Sequence, residues 1–130
     1  MAVEIDHLGI AVRDLEESLR FYRDALGMEV SGRETVAGER VHVAMLPAGP
    51  RIELLEAIDG ESPIAKFIER RGPGLHHVAL RVDDLEKALG RLREEGARVL
   101  NEPRQGAGGH TYVFVHPAST GGVLLELIQK

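Results

Sequence analysis

The chain contains no cysteine among its 130 residues. It therefore holds no disulfide, thiol nucleophile or thiolate metal site, and any bound metal must take nitrogen and oxygen ligands. It also lacks a long apolar run, and no basic segment precedes the first strand pattern, which predicts neither a signal peptide nor a membrane span. We expect a cytoplasmic protein.

Positive charge is in the minority as well. Lys and Arg number 16 against 21 Asp and Glu, giving a formal net charge of −5 at pH 7. This balance argues against a general nucleic-acid-binding surface. Low-complexity segments and long linkers are also missing, so we expect one domain over residues 1–130, long enough to bury roughly two thirds of its unfolded surface.

What the chain does have is an internal repeat. The segment Ile5–Val12, followed by Asp-Leu-Glu, returns as Leu75–Val82, again followed by Asp-Leu-Glu. A shift of 70 residues pairs His7 with His77. The repeat predicts a domain built from two similar modules.

Each half shows the same order of hydrophobic patterns: one strand, one helix and three further strands. We therefore predict an α+β fold of two tandem βαβββ modules, over about 4–60 and 74–130, joined by a helix over about 62–71. The helices of the modules begin after Asp14 and Asp84. The later strands are expected near Met28–Val36, Arg40–Leu46, Arg51–Glu56, Ala97–Leu100, His110–Val115 and Val123–Ile128.

Four side chains stand out as candidate metal ligands: His7, Glu53, His77 and Glu126. Each glutamate sits mid-strand between aliphatic residues, and strand alternation turns it away from the main apolar face. A half-exposed sheet whose outer face meets solvent also explains a single glutamate. It explains less readily why each half carries one histidine and one glutamate at nearly the same spacing, 46 and 49 residues.

Such groups converging in one place would lose solvation and repel one another unless a cation sat among them. Two His and two Glu suit a divalent ion such as Co²⁺, Mn²⁺, Ni²⁺ or Zn²⁺. His76 should point to the opposite face from His77. His42, His110 and His116 have no partner in the repeat and are secondary candidates.

Glycine-rich loops precede the last two strands, at Gly106–Gly109 and Ser119–Gly122. They are either ordinary hairpin turns or donors of backbone N–H groups to an anionic ligand.

Six segments carry a resemblance to a known family: Ile5–Val12, Ser62–Phe67, Gly74–Val78, Gly106–Gly109, His116–Pro117 and Ser119–Glu126. They resemble the vicinal oxygen chelate (glyoxalase/bleomycin resistance/dioxygenase) superfamily, and within it the methylmalonyl-CoA epimerases. The resemblance covers nearly the whole chain. It implies a curved, eight-stranded mixed sheet that forms a cup around a metal.

The resemblance also implies a function, namely epimerisation of (2R)- and (2S)-methylmalonyl-CoA through loss of the C2 proton and a metal-stabilised enediolate. It places the metal ligands at His7, Glu53, His77 and Glu126, and a catalytic acid/base at Glu126. The second acid/base falls near His42. Either His42 or Glu53 is expected to supply or orient this group, because strand alternation aims both side chains towards the cup. It further implies Co²⁺ or Mn²⁺, with Ni²⁺ or Zn²⁺ as alternatives, a CoA thioester substrate and a homodimer. The competing interpretations are a glyoxalase I (lactoylglutathione lyase)-like enzyme and a non-catalytic drug-binding protein of the same fold.

Overall fold

The computed structural model describes residues 2–130, with only the backbone at residue 107. The first helix, Leu15–Leu19, continues as a π-helix over Arg20–Ala25, and short 3₁₀ turns cover Ala37–Glu39, Ala107–Gly109 and Pro117–Ser119. The helices are α1 (Leu15–Leu19), α2 (Pro63–Arg71) and α3 (Leu85–Glu94). The strands are β1 (Val3–Val12), β2 (Gly32–Val36), β3 (Val41–Pro47), β4 (Arg51–Ala57), β5 (Gly74–Val82), β6 (Arg104–Gln105), β7 (Thr111–Val115) and β8 (Leu125–Gln129).

The eight strands belong to one sheet with the hydrogen-bonded order β2-β3-β4-β1-β5-β8-β7-β6. Strands β2, β3 and β4 pair antiparallel, as do β6, β7 and β8, whereas β5 and β8 run parallel. The predicted α+β class with an eight-stranded mixed sheet is confirmed. No helix in the described part of the chain is long and apolar enough to cross a membrane.

The chain forms two compact units. The first unit is Leu8–His76, and the second unit combines the residues up to His7 with His77–Lys130. Strand β1 therefore contributes its beginning to the second unit and its end to the first. The predicted modules, divided in the linker helix, follow the sequence repeat and stay a prediction.

Two apolar clusters pack on the opposite faces of the strands in the first unit. Successive strand residues point to opposite faces, so neighbours in β4 separate between the clusters. The α1 cluster contains Val12, Leu15, Leu19, Ala44, Leu46 and Leu54. The α2 cluster contains Ala11, Val41, Val43, Leu55 and Ile64.

The core of the second unit lies between α3 and its strands. Leu85, Ala88 and Leu89 of α3 are the buried side of that helix, at the spacing expected of one helical face. They pack against Val82, Val113, Val115 and Leu127.

The repeat is also visible in how helices α1 and α3 begin. The side chain of Asp14 accepts a hydrogen bond from the backbone N–H three residues later, and Asp84 does the same. Both are N-caps, which satisfy backbone donors that the helix leaves without partners.

A second side chain binds the start of each of these helices. Glu56 of β4 accepts the N–H of Leu15 at 2.9 Å, and Gln129 of β8 accepts the N–H of Leu85 at 2.7 Å. Each acceptor lies three residues beyond the mid-strand glutamate of its half. In each half, a side chain of the last strand therefore binds the backbone at the start of the helix.

The predicted strand Ala97–Leu100 is wrong. This segment makes a single bridge, between Val99 and Val115, and the sheet ends instead in the two-residue strand β6. The side-chain oxygen of Asn101 accepts a hydrogen bond from the backbone N–H of Phe114 at 2.8 Å. This N–H of β7 therefore binds a side chain and not the backbone of a neighbouring strand. A proline follows shortly after and lacks the N–H that a ladder requires.

Candidate metal centre

Three of the four predicted ligands come together in the second unit. His7 lies on β1, His77 on β5 and Glu126 on β8, and all three are buried. The two histidine Nε2 atoms are 3.1 Å apart. The Oε1 atom of Glu126 lies 3.4 Å from His7 Nε2 and 3.1 Å from His77 Nε2. Ligand atoms from the three residues all fall within 4.8 Å of one another.

The pairing of β5, β8 and β7 places two of these groups on one face. Ala79 of β5 lies opposite Glu126, and His77 comes two residues before Ala79 on the same side. Ala79 is fully buried, and its small side chain leaves room beside the carboxylate. Phe114 of β7 faces Glu126 from the other strand, and its ring meets the His77 ring edge-on with centroids 5.6 Å apart.

Glu126 is held in its ionised form. Burial raises the pKa of this carboxyl group, but hydrogen bonds and electrostatic attraction from His7 and His77 outweigh it and lower the pKa to about 2. An ionised carboxylate is the form that a metal ligand requires. It is also the form that accepts a proton.

The separations of the three atoms match those of donors around one metal ion. Ligand atoms about 2.1 Å from a metal lie about 3.0 Å apart at a right angle and about 3.4 Å apart at the tetrahedral angle. The observed values, 3.1, 3.1 and 3.4 Å, fall in this range. Two imidazoles and one carboxylate are the donors that a borderline divalent ion prefers. The residues present therefore fit a divalent metal.

An ion pair between Asp6 and Lys130 lies on the side of the His7 ring that faces away from Glu126. The carboxylate of Asp6 lies 2.7 Å from His7 Nδ1 through Oδ2 and 2.9 Å from the Lys130 ammonium through Oδ1. Only 2% of the Asp6 side chain is exposed. Sequence reasoning missed both residues. Asp6 directly precedes His7, but no local pattern links it to a lysine 124 positions later.

The fourth predicted ligand, Glu53, belongs to the first unit. It lies on β4, is 3% exposed and shares its face with Leu55 of the α2 cluster. Its Oε2 atom accepts hydrogen bonds from Arg51, at 2.7 Å from Nη2 and 3.1 Å from Nε. Its role as a metal ligand stays a prediction.

The strand-parity argument that aimed His42 and Glu53 to the same side is wrong. His42 of β3 pairs with Glu56, whereas Glu53 pairs with Met45, three residues away from His42. An odd separation along a strand puts two side chains on opposite faces. His42 therefore lies on the α1 side, where its Nδ1 is 2.9 Å from the hydroxyl of Thr35.

His42 lines a cavity of about 470 Å³ beside the start of α1. Asp14, Leu15, Thr35 and Glu56 lie around the same cavity. This places His42 with groups that bind the start of a helix. The predicted catalytic role of His42 stays a prediction. The structure does not place its side chain on the same face as Glu53, as strand alternation had suggested.

Comparison with known families agrees with this arrangement. The model of the glyoxalase/bleomycin resistance protein/dioxygenase superfamily matches residues 6–114. The chain belongs to this superfamily. The match begins at Asp6 and ends at Phe114, within the second half of the repeat.

Among superfamily members, the ethylmalonyl-CoA/methylmalonyl-CoA epimerase of Cereibacter sphaeroides is 40% identical over 133 residues, covering 99% of each chain. The crystal structure of methylmalonyl-CoA epimerase from Mycobacterium tuberculosis is 39% identical, with a TM-score of 0.90 over 96% of this chain and 86% of that one. A methylmalonyl-CoA epimerase in complex with methylmalonyl-CoA and NH4+ is 36% identical, with a TM-score of 0.93 over 100% and 96%.

Two further histidines of this superfamily member, His76 and His116, have structural partners. The ring of His76 meets Phe67 of α2 edge-on at 5.0 Å, and Nδ1 of His116 accepts the N–H of Ala118 within a 3₁₀ turn. His76 thus lies in the first unit, whereas His77 lies in the second.

The glycine loop before β7 needs its glycines. Gly108 and Gly109 have φ values of +74° and +75°, a region that residues with a side chain rarely adopt. A Cβ added at Gly106 would lie 2.8 Å from the ring of Tyr112. A role of this loop in binding an anion stays a prediction.

Proposed function

We propose that this chain is a metal-dependent epimerase that interconverts (2R)- and (2S)-methylmalonyl-CoA. The observation that carries the proposal is the convergence of His7, His77 and Glu126 at separations of 3.1 to 3.4 Å. The substrate is inferred from relatives that are named as methylmalonyl-CoA epimerases and align with nearly the whole chain.

The chemistry explains why an epimerase needs such a site. The C2 proton of the substrate is acidified by the thioester, but the neighbouring carboxylate opposes the build-up of further negative charge. A divalent ion, when bound, supplies positive charge that stabilises the enediolate oxygens. We propose Co²⁺ or Mn²⁺ for this site, with Ni²⁺ and Zn²⁺ as the alternatives to be compared.

The residues of the chain have separate roles in this scheme. His7 and His77 offer neutral ring nitrogens to the metal, and Glu126 offers a charged oxygen. Glu53 is proposed as the fourth ligand, since it is the first half's counterpart of Glu126 in the repeat. Its Arg51 partner neutralises the extra negative charge of a second carboxylate.

Glu126 is also our first choice for the group that moves a proton at C2. Its lowered pKa keeps the carboxyl group ionised at neutral pH, which is the protonation state that a general base requires. Epimerisation needs a second group that delivers a proton to the opposite face. Since His42 lies on the α1 side of the sheet, Glu53 is the stronger of the two residues considered for supplying or orienting that group.

The decisive experiment follows proton exchange and epimerisation at C2 of one methylmalonyl-CoA epimer in D₂O. Chelator-stripped protein is compared with protein reloaded with Co²⁺ or Mn²⁺. We expect metal-dependent epimerisation far above the uncatalysed exchange. Protein that binds the metal and leaves the thioester unchanged rules the reaction out. Turnover of the hemithioacetal of glutathione would then favour a glyoxalase I-like enzyme.

We further propose a homodimer in the cytoplasm. Two sheet edges, β2 and β6, end the strand order, and open edges favour association with another chain. Light scattering coupled to gel filtration tests the dimer, and a single-chain mass at all concentrations contradicts it.

A further inference from the structure

The pair formed by Asp6 and Lys130 has a function that neither the repeat nor the relatives' names assign. Within the repeat, the position that matches Asp6 is His76, so the second half has no carboxylate there. The histidine ligand is duplicated, whereas the carboxylate that precedes it in the chain is not. His7 is therefore preceded in the chain by a carboxylate that contacts its ring, whereas His77 is preceded by a histidine.

When a metal is bound, the contact with Asp6 would keep the proton of the His7 ring on Nδ1. An ionised carboxylate can only accept a hydrogen bond, so the Asp6 contact at 2.7 Å requires the proton on Nδ1. A neutral ring with its proton on Nδ1 has its lone pair on Nε2. That atom is the one aimed at His77 and Glu126. This arrangement matches the carboxylate–histidine–metal unit that orients ligands in metalloproteins.

Lys130 explains how a carboxylate can be buried behind the ligand. An unpaired buried charge is costly, and the ammonium 2.9 Å from Oδ1 offsets this cost. Each oxygen of Asp6 then has a partner of its own: the ammonium at Oδ1 and the His7 ring at Oδ2. Lys130 thus holds Asp6 in position while leaving Oδ2 to His7.

We propose that Asp6 is a positioning residue that orients His7 for metal binding, and that Lys130 holds Asp6 in place. The inference rests on the metal site of the proposed function and does not depend on which reaction the site catalyses. Removing such a partner costs metalloproteins about 10- to 100-fold in metal affinity. We expect this loss for Asp6→Ala. A smaller loss is expected for Asp6→Asn, whose amide oxygen can still accept from Nδ1.

Two measurements on the full chain test the proposal. Calorimetric titration with Co²⁺ gives the affinity of the wild type, Asp6→Ala, Asp6→Asn and Lys130→Met. Proton NMR of the Co²⁺-loaded proteins reports the ring N–H of a ligating histidine as a strongly shifted, exchangeable signal. We expect one such signal to exchange slowly in the wild type and much faster in Asp6→Ala.

The control variants are Glu4→Gln and Lys87→Met. Glu4→Gln removes a negative charge from the same strand, where its partner Arg81 is exposed, and Lys87→Met removes an exposed ammonium. Both should bind Co²⁺ like the wild type. If Asp6→Ala does not fold, Asp6→Asn and Lys130→Met test the proposal. For both we expect a loss of Co²⁺ affinity smaller than the loss of about 10- to 100-fold expected for Asp6→Ala, and faster N–H exchange than in the wild type.

The outcomes separate this inference from the proposed function. Wild-type affinity and slow N–H exchange in the Asp6 variants overturn the positioning role alone. Metal binding without epimerisation overturns the proposed reaction and leaves the positioning role standing. A wild type that binds no Co²⁺ overturns both.

Discussion

Glu53 and Glu126 occupy matching places in the two halves, yet their surroundings differ. Each is a buried, mid-strand carboxylate three residues before a side chain that binds the start of a helix. Glu126 faces two histidine nitrogens, whereas Glu53 is bound by the guanidinium of Arg51. The two halves place the carboxylate at the same strand position but surround it with different positively charged or hydrogen-bonding groups. The repeat therefore predicts the position of a side chain in the fold better than it predicts the role of that side chain.

Replacing the two glutamates one at a time tests most directly whether they have different roles. Glu126→Gln should lower the rate of C2 epimerisation by at least about 100-fold, since an amide cannot accept the proton and is a weaker metal ligand. Glu53→Gln should cost less, because its amide oxygen remains a ligand. Rates measured with saturating metal check both values. Equal losses would show that the halves contribute equally.

The counter-charge of Glu53 should matter for stability. Arg51→Met removes the guanidinium that compensates the buried carboxylate of Glu53, and we expect a loss of about 1–3 kcal/mol in the free energy of unfolding. Adding Glu53→Gln to the same chain should restore most of it. Denaturant titration of the two single variants and the double variant measures the coupling.

The exposed pair Arg40–Asp59 provides the control for Arg51. Its atoms are also 2.7 Å apart, but both side chains are largely exposed. Arg40→Met should therefore cost no more than about 1 kcal/mol. An Arg51→Met variant as stable as Arg40→Met would contradict a charge-compensating role.

The helix-binding side chains should be equivalent in the two halves. Glu56→Ala and Gln129→Ala each remove one hydrogen bond to a helix start, and each should lower stability by about 1 kcal/mol. Thermal melts compare them with Glu69→Ala, an exposed change near the end of α2 that should stay within about 0.5 kcal/mol. Unequal losses would show that the halves have diverged here too.

The smallest effect is expected for His42. Because it lies on the α1 side, His42→Ala should leave the epimerisation rate close to that of the wild type, whereas His77→Ala should abolish tight metal binding. A catalytic acid or base would cost at least about 100-fold on removal. A loss of that size in His42→Ala, with the metal still bound, would restore the prediction made from the sequence.

The sequence predicted those parts of the molecule that repetition and strand alternation determine. The repeat located His7 and His77, and alternation along β8 set the side on which Glu126 points. It missed the direction of His42, because that depends on the register between β3 and β4. Register is fixed by the turn that joins two strands, and one residue of error turns a side chain to the other face.

Two further failures have the same origin in distant contacts. The segment around Val99 has the composition of a strand, but an asparagine side chain takes over its pairing after one bridge. The Asp6–Lys130 pair joins opposite ends of the sequence, so it appears only once β1 lies in the second unit. No local pattern encodes either contact.

The three-residue interval between Glu126 and Gln129 has a consequence for engineering. It spans about 10 Å of extended chain, with the carboxylate on one face and the helix-binding amide on the other. A single inserted or deleted residue in this interval would turn one of the two groups to the wrong side. Libraries of insertions should therefore reject new residues between Glu126 and Gln129, because the length of this interval sets the face to which each of the two side chains points.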